Sequence, residues 1–320
     1  MPTRGVTALA YAAARMYALL AAPLAAALSY FQAIVLGILQ GVTELFPISS
    51  LGHTVLFPTL FGWNELVKAQ SESESFWLAF VVMLHVGSAV GLLIYYWSTW
   101  VEIVKAFFAT LAKRRAETPT ERLAWLIIVA SIPAGVIGLA LEHQLRTLTA
   151  KPEVAAIFLM VNGLVLFAAE RYRRRAQVRE LAVREGLNPE GGRKLETLEY
   201  REALVVGFAQ STALVAGISR DGVTMGTGLA RGLDHSDSAR FAFLLATPII
   251  LAAGIVKLPD LLGHLGNGIR GQALVAAAAA AITAVFTVAF LVRYFKTRTL
   301  IPFAIYCLGF GAFMTVYTLA

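Results

Sequence analysis

The sequence predicts an all-α integral membrane protein: an inverted-topology repeat with six spans and two re-entrant helical hairpins, preceded by an extra N-terminal membrane helix. Three observations predict it. The 320 residues are 58% hydrophobic and only 15% charged, against about 25% charged in a soluble domain, and the mean hydropathy is +0.69. Several apolar runs approach the ~20 residues that a helix needs to cross a bilayer. The chain also contains a copy of part of itself. Residues 33–54, shifted by 170 positions, fall on 203–224 without a gap, and 8 of 22 positions are identical: Ala33, Val35, Gly37, Gln40, Ile48, Ser49, Gly52 and Thr54.

The elements follow in order. Residues 6–28 form an alanine-rich apolar run, too long for a signal-peptide core and followed by no polar region, so an extra helix over 1–30 is expected. Residues 31–40 are too short to span; Pro47 and Gly52 break the chain, and 53–61 are apolar again. Two half-length helices around a polar turn describe a re-entrant hairpin, a backbone tolerated at membrane depth only inside protein or beside a wet cavity. A polar loop is expected over 63–75, then spans at 76–97, 123–141 and 154–169, with a short loop at 142–152. The long polar segment 171–201 separates the copies. A second broken hairpin over 202–231 precedes spans at 241–258, 272–292 and 301–319. The domain reading is therefore 1–30, a first repeat 31–170, a basic loop 171–201 and a second repeat 202–320.

The net charge of +7 is concentrated in loops. That distribution fits membrane orientation and not nucleic-acid binding, which needs a basic face. The loops 98–122, 171–201 and 293–300 are arginine- and lysine-rich and are expected in the cytoplasm, with 142–152 and 259–271 outside. Counting spans, the first hairpin then enters from outside and the second from the cytoplasm, a plan shared with many secondary transporters. Cys307 is the single cysteine, so disulfides within the chain and cysteine-based metal sites are excluded.

Polar chemistry is concentrated in the two hairpin turns. The first carries Gln40, Glu44, Pro47, Ser49, Ser50, Gly52 and His53; the second carries Gly217, Ser219, Arg220, Asp221 and Gly222. Gln40 and Glu44 share a helix face. A carboxylate at membrane depth is by default functional or paired, and Arg220 is its natural partner. Gly217 and Gly222 leave backbone N–H groups free to converge on an anion, and arginine supplies a planar fork for phosphate oxygens. Ser49 and Ser50 lie near His53, a serine-beside-base pattern, while one of the two serines is expected to cap the half-helix that follows. His85 lies inside a span and reads as a hydrogen-bonded core group. His143, His235 and His264 fall near span ends. Nucleotide-binding and zincin motifs are absent from the sequence.

The first turn, Gln-Gly-Val-Thr-Glu-Leu-Phe-Pro-Ile-Ser-Ser-Leu-Gly-His, resembles the first signature of the bacterial undecaprenyl-diphosphate phosphatase family, also called bacitracin-resistance proteins. The second, Ala-Gly-Ile-Ser-Arg-Asp-Gly-Val-Thr, resembles its second signature, and the similarity runs from about Phe31 to the C-terminus. The resemblance implies hydrolysis of the terminal phosphate of undecaprenyl or another polyprenyl diphosphate. Such activity recycles the lipid carrier for peptidoglycan synthesis and gives bacitracin resistance. It also implies a multi-pass protein of the bacterial cell membrane, a site open to the outer face, and dependence on magnesium or calcium. Carried over by position, Glu44, Ser50, His53 and Arg220 would be catalytic, with Ser50 the nucleophile and His53 the proton-transfer group. Ser49, Gly217, Ser219, Arg220, Gly222 and Thr224 would bind phosphate, and Gln40, Glu44 and Asp221 would hold the metal. A homodimer is compatible with this reading; a nucleic-acid partner is not expected. Leu51, Ala216 and Asp221 depart from the family's threonine, proline and serine. The alternative is a carrier that moves polyprenyl phosphate across the bilayer on the same fold. The acid phosphatase superfamily is rejected, because its histidine would fall at Gly226.

Overall fold

The computed structural model describes residues 28–71, 76–149, 151–183, 193–263 and 266–320. The expected N-terminal helix lies almost wholly outside them. Among the described residues the structure is helical, apart from one isolated bridge between Arg193 and Leu233. The helices are α1 (Tyr30–Thr43), α2 (Ser50–Leu60), α3 (Asn64–Ser71), α4 (Phe76–Tyr95), α5 (Trp97–Lys113), α6 (Pro119–Thr149), α7 (Pro152–Val183), α8 (Tyr200–Ser211), α9 (Arg220–Ala230), α10 (His235–Leu262), α11 (Arg270–Tyr294) and α12 (Ile301–Leu319).

Six of them, α4, α6, α7, α10, α11 and α12, are long and apolar enough to cross a membrane. They match the six spans expected from the sequence. Their burial differs: 56% of the apolar window of α4 is buried, against 22% for α12. α4 is therefore the central helix, while Leu139, Phe286 and Val316 keep about 70% of their surface exposed on outer faces. For an apolar surface of this kind, lipid is the compatible solvent.

Small residues explain how the centre closes. Gly37 and Gly41 of α1, and Gly87 and Gly91 of α4, each repeat at i and i+4, and both pairs press onto the alanine run of α11. A Cβ added at Gly41 would stand 2.5 Å from the Ala280 carbonyl oxygen, and one at Gly91 would stand 2.5 Å from that of Ala281. Ala276, Ala280 and Ala284 are fully buried in these seams. Close backbone approach through small residues is how helices associate when no hydrophobic drive separates them from lipid.

The two short-helix pairs are broken for readable reasons. α1 ends at Thr43 and α2 begins at Ser50, with Pro47 between them removing a donor and disfavouring helix before it. α8 ends at Ser211 and α9 begins at Arg220, with Gly217 at φ +104° in the turn. α1 and α2 pack together, as do α8 and α9, and α2 and α9 both lie against α7.

Element ends differ from expectation at four places. The loop expected over 142–152 is helix up to Thr149, because α6 continues past its apolar stretch and only Pro152 opens a new helix. The basic segment 171–201 is helical as far as Val183. Arginine and glutamate are good helix formers, so a change in polarity is not a change in backbone. The basic region 98–122 contains α5, which exposes Trp97, Val104, Phe108 and Leu111 on one face. The polar loop expected over 63–75 includes α3.

Candidate active site

The two turns meet. Ser49 is the N-cap of α2, its Oγ accepting from the Gly52 amide at 3.2 Å, and the same oxygen accepts from the Gly217 amide of the second turn at 3.1 Å. Asn162 of α7 is the second tie: its Nδ2 donates to the Pro47 carbonyl at 2.9 Å, and its Oδ1 accepts from the Ser219 amide at 3.0 Å. Asn162 is fully buried. Ser219 caps α9 by accepting from the Gly222 amide at 3.0 Å, the same cap that Ser49 makes to Gly52. Ser49 holds a positive φ of 70°. Such backbone persists only where the surroundings over-determine it. Here the Ser49 oxygens receive four bonds, from Gly52, Gly217, and the backbone and Nδ1 of His53.

Each cap aims the next residue into the junction. Ser50 and Arg220 are the first residues of α2 and α9, and both reach Glu44 at the end of α1. The Arg220 guanidinium donates through Nη2 to Glu44 Oε1 at 2.6 Å, and through Nη1 to the Ala246 carbonyl at 3.3 Å. Glu44 Oε2 accepts from Gln40 Nε2 at 2.9 Å and from the Ser50 hydroxyl. His85 of α4 completes the group, with Nε2 3.3 Å from Glu44 Oε2 and 3.4 Å from Ser50 Oγ. The Glu44 side chain is 5% exposed. Leaving such a carboxylate without its arginine costs about 3–5 kcal/mol, so the pair holds the turns together as well as presenting their chemistry. Surface cavities of about 350 and 600 Å³ lie elsewhere, lined by none of these residues.

A family model described as bacitracin resistance protein BacA matches residues 33–313. The chain belongs to the bacitracin resistance protein family. It is 51% identical to undecaprenyl-diphosphatase 2 of Frankia alni, over 90% of this chain and 98% of the relative. It is 50% identical to the undecaprenyl-diphosphatase of Mycolicibacterium paratuberculosis, over 91% and 97%. Identity to the undecaprenyl-diphosphatase of Acidiphilium cryptum is 44%, over 88% and 95%.

Of the residues singled out in this bacitracin resistance protein family member, the structure brings Gln40, Glu44, Ser50 and Arg220 together. His53 is placed differently. Its Nδ1 donates to the Ser49 carbonyl at 2.7 Å, its Nε2 accepts from the Tyr306 hydroxyl at 2.8 Å, and it lies in a stack with Tyr306 and Phe310. Both ring nitrogens are thus engaged away from Ser50. The amides of Gly217, Ser219 and Gly222 are given to Ser49, Asn162 and Ser219, so in this state the second turn is held by protein acceptors. Sequence reasoning missed His85 as a site residue and missed Asn162 altogether. A histidine within an apolar span was the available signal for the first.

For a cation, the donor set is specific. Both Glu44 oxygens are engaged by protein donors, whereas Gln40 Oε1 and both Asp221 carboxylate oxygens are buried and without hydrogen-bond partners. Asp221 Oδ1 lies 3.5 Å from Arg220 Nη2. Among the described residues no group of three His, Cys, Asp or Glu is arranged to hold a metal. Buried oxygen atoms without partners are the kind of ligand that a hard divalent ion takes.

Proposed function

We propose that this chain is an undecaprenyl-diphosphatase of the bacterial cell membrane. It hydrolyses undecaprenyl diphosphate to the monophosphate and phosphate, which returns the lipid carrier to peptidoglycan synthesis and gives bacitracin resistance. The substrate is taken from the names of the relatives. The observation that carries the reading is the junction itself, where a serine hydroxyl, a buried carboxylate and an arginine from two turns share one set of contacts.

The roles follow from that geometry. Ser50 Oγ is the nucleophile, held by Glu44 Oε2. Arg220 has two of its five N–H groups committed, to Glu44 and Ala246, and turns the others to the terminal phosphoryl oxygens. Thr224, buried with an unpartnered hydroxyl, is a further donor to the phosphate. The two helix N-termini, of α2 and α9, add partial positive charge where the phosphate sits. A magnesium or calcium ion held at Gln40 and Asp221 would neutralise diphosphate charge.

The same reading makes 31–170 and 202–320 an inverted repeat, with α1–α2 and α8–α9 as re-entrant hairpins. The ungapped match of 33–54 to 203–224 and the repeated serine cap support it. So does length: α1 has 14 residues and α2 has 11, about 21 and 16 Å of helix against a ~30 Å core. The distribution of arginine and lysine favours a site facing outward. A polyprenyl-phosphate carrier is the second reading, favoured by the opposed repeats. Purified protein given undecaprenyl diphosphate, with and without chelator, tests between them: a phosphatase releases inorganic phosphate, and a carrier releases none.

A further inference from the structure

Ser50 Oγ has two acceptors within reach, Glu44 Oε2 and His85 Nε2. Glu44 is an anion tied down by Arg220 and Gln40. His85 is set up differently. Its Nδ1 lies 2.8 Å from the Val81 carbonyl, one turn earlier in α4. A carbonyl brings no hydrogen, so Nδ1 carries it. In the neutral ring Nε2 is then the bare nitrogen, 3.4 Å from Ser50 Oγ. This is the logic of a nucleophile beside a base whose far nitrogen is fixed by another group. His53 does not fit that part, since both of its nitrogens are engaged with Ser49 and Tyr306. The His85 side chain is 19% exposed against 5% for Glu44, so a proton on it has a way out.

We propose that His85 is the proton-transfer residue of the Ser50 nucleophile. The inference rests on the phosphatase reading. His85 Nε2 takes the Ser50 hydroxyl proton as Oγ bonds to the terminal phosphorus and the bridging P–O bond breaks, its electron pair staying with the lipid phosphate. His85 returns the proton to that leaving oxygen, and Glu44, 3.3 Å from Nε2, stabilises the imidazolium in between. In the second half His85 takes a proton from water as the water oxygen attacks the phosphoserine. The Oγ–P bond then breaks, Oγ recovers the proton, and inorganic phosphate leaves.

The test compares wild type, Ser50→Ala, His85→Gln and His85→Ala, each with melting temperature, kcat and KM for undecaprenyl diphosphate. Glutamine keeps polarity and volume but cannot carry the proton. His85→Gln is expected to lose about 10²–10⁴ in kcat with KM and melting little changed, and free imidazole is expected to restore part of the His85→Ala turnover. Near-wild-type kcat in His85→Gln overturns the proposal. So does a loss of turnover that imidazole fails to restore, or one that tracks a fall in melting temperature. Absence of phosphate release by wild type defeats the phosphatase reading itself, whereas wild-type release abolished by Ser50→Ala but not by His85→Gln defeats the histidine assignment alone.

Discussion

Replacing Asn162 with alanine removes a side chain of α7 that binds both turns. Both bonds to the turns go, Nδ2 to the Pro47 carbonyl at 2.9 Å and the Ser219 amide to Oδ1 at 3.0 Å, together with the Nδ2 bond to Cys307 Sγ at 3.3 Å. The position is fully buried, so water does not readily replace the amide. Each stranded polar group costs about 1–3 kcal/mol. The Pro47 carbonyl keeps only a long contact to Cys307 Sγ at 4.0 Å, so both costs apply, and the total is about 2–6 kcal/mol. At ~2–4 °C per kcal/mol, melting in detergent should fall by roughly 4–24 °C. Turnover should fall further than stability implies, because Ser50 and Arg220 stand on opposite sides of the tie, and a shift of about 1 Å between reacting groups can cost 10²-fold. Differential scanning fluorimetry and phosphate release on the same preparation give both numbers. Ser49→Ala, which cuts the other tie to Gly217, should combine non-additively with Asn162→Ala. If Asn162→Ala melts and turns over like wild type, the turns are held by something else and the account of the junction fails.

Other outcomes follow from the same contacts. Glu44→Gln keeps a hydrogen-bond acceptor for Ser50 but leaves Arg220 without its anion; phosphate release should drop about 10²-fold or more, and unchanged release would make Glu44 purely structural. Arg220→Lys should fail nearly as badly as Arg220→Ala, by about 10²–10³ in kcat/KM, because a lysine near Asp221 can pair with it and lacks the fork; retained activity in the lysine variant would remove the bidentate role. Single cysteines in the basic segment 171–201 should resist an impermeant thiol reagent in intact cells while a cysteine at 266 labels; labelling of the basic segment from outside would reverse the orientation and with it the opposed hairpins.

The spans were legible because predominantly apolar runs that approach the ~20 residues of a bilayer crossing admit few other structures. Their ends were not, since Glu142 to Thr149 are mainly polar yet helical, and hydropathy reports solvent and not backbone. Within the site, Gln40, Glu44, Ser50 and Arg220 were legible as polar residues clustered beside helix breakers. His85 and Asn162 were not, because each is set in a long, mainly apolar stretch of its helix, with partners 35 and 115 residues away. The same separation hid the engagement of His53, whose hydroxyl partner Tyr306 is 253 residues distant.

The duplicated segments make the division of labour in this site intelligible. Ser49 and Ser219 occupy equivalent positions and make the same bond, each accepting from the amide of the glycine three residues on. The cap fixes where the first residue of each half-helix points, and that residue is free to differ: Ser50 in one copy, Arg220 in the other. One framework thus delivers the proposed nucleophile and the proposed anion grip to the same carboxylate. The copies are not identical in backbone, for Ser219 sits at an ordinary φ of −88° whereas Ser49 sits at +70°. The strain falls on the copy that carries the proposed nucleophile. It is held there in part by Gly217 of the other copy, so contact between the two turns supports the position of Ser50. Under the proposed roles, a serine nucleophile braced by the second turn is aligned beside the arginine that would grip the charge of the phosphorus it attacks.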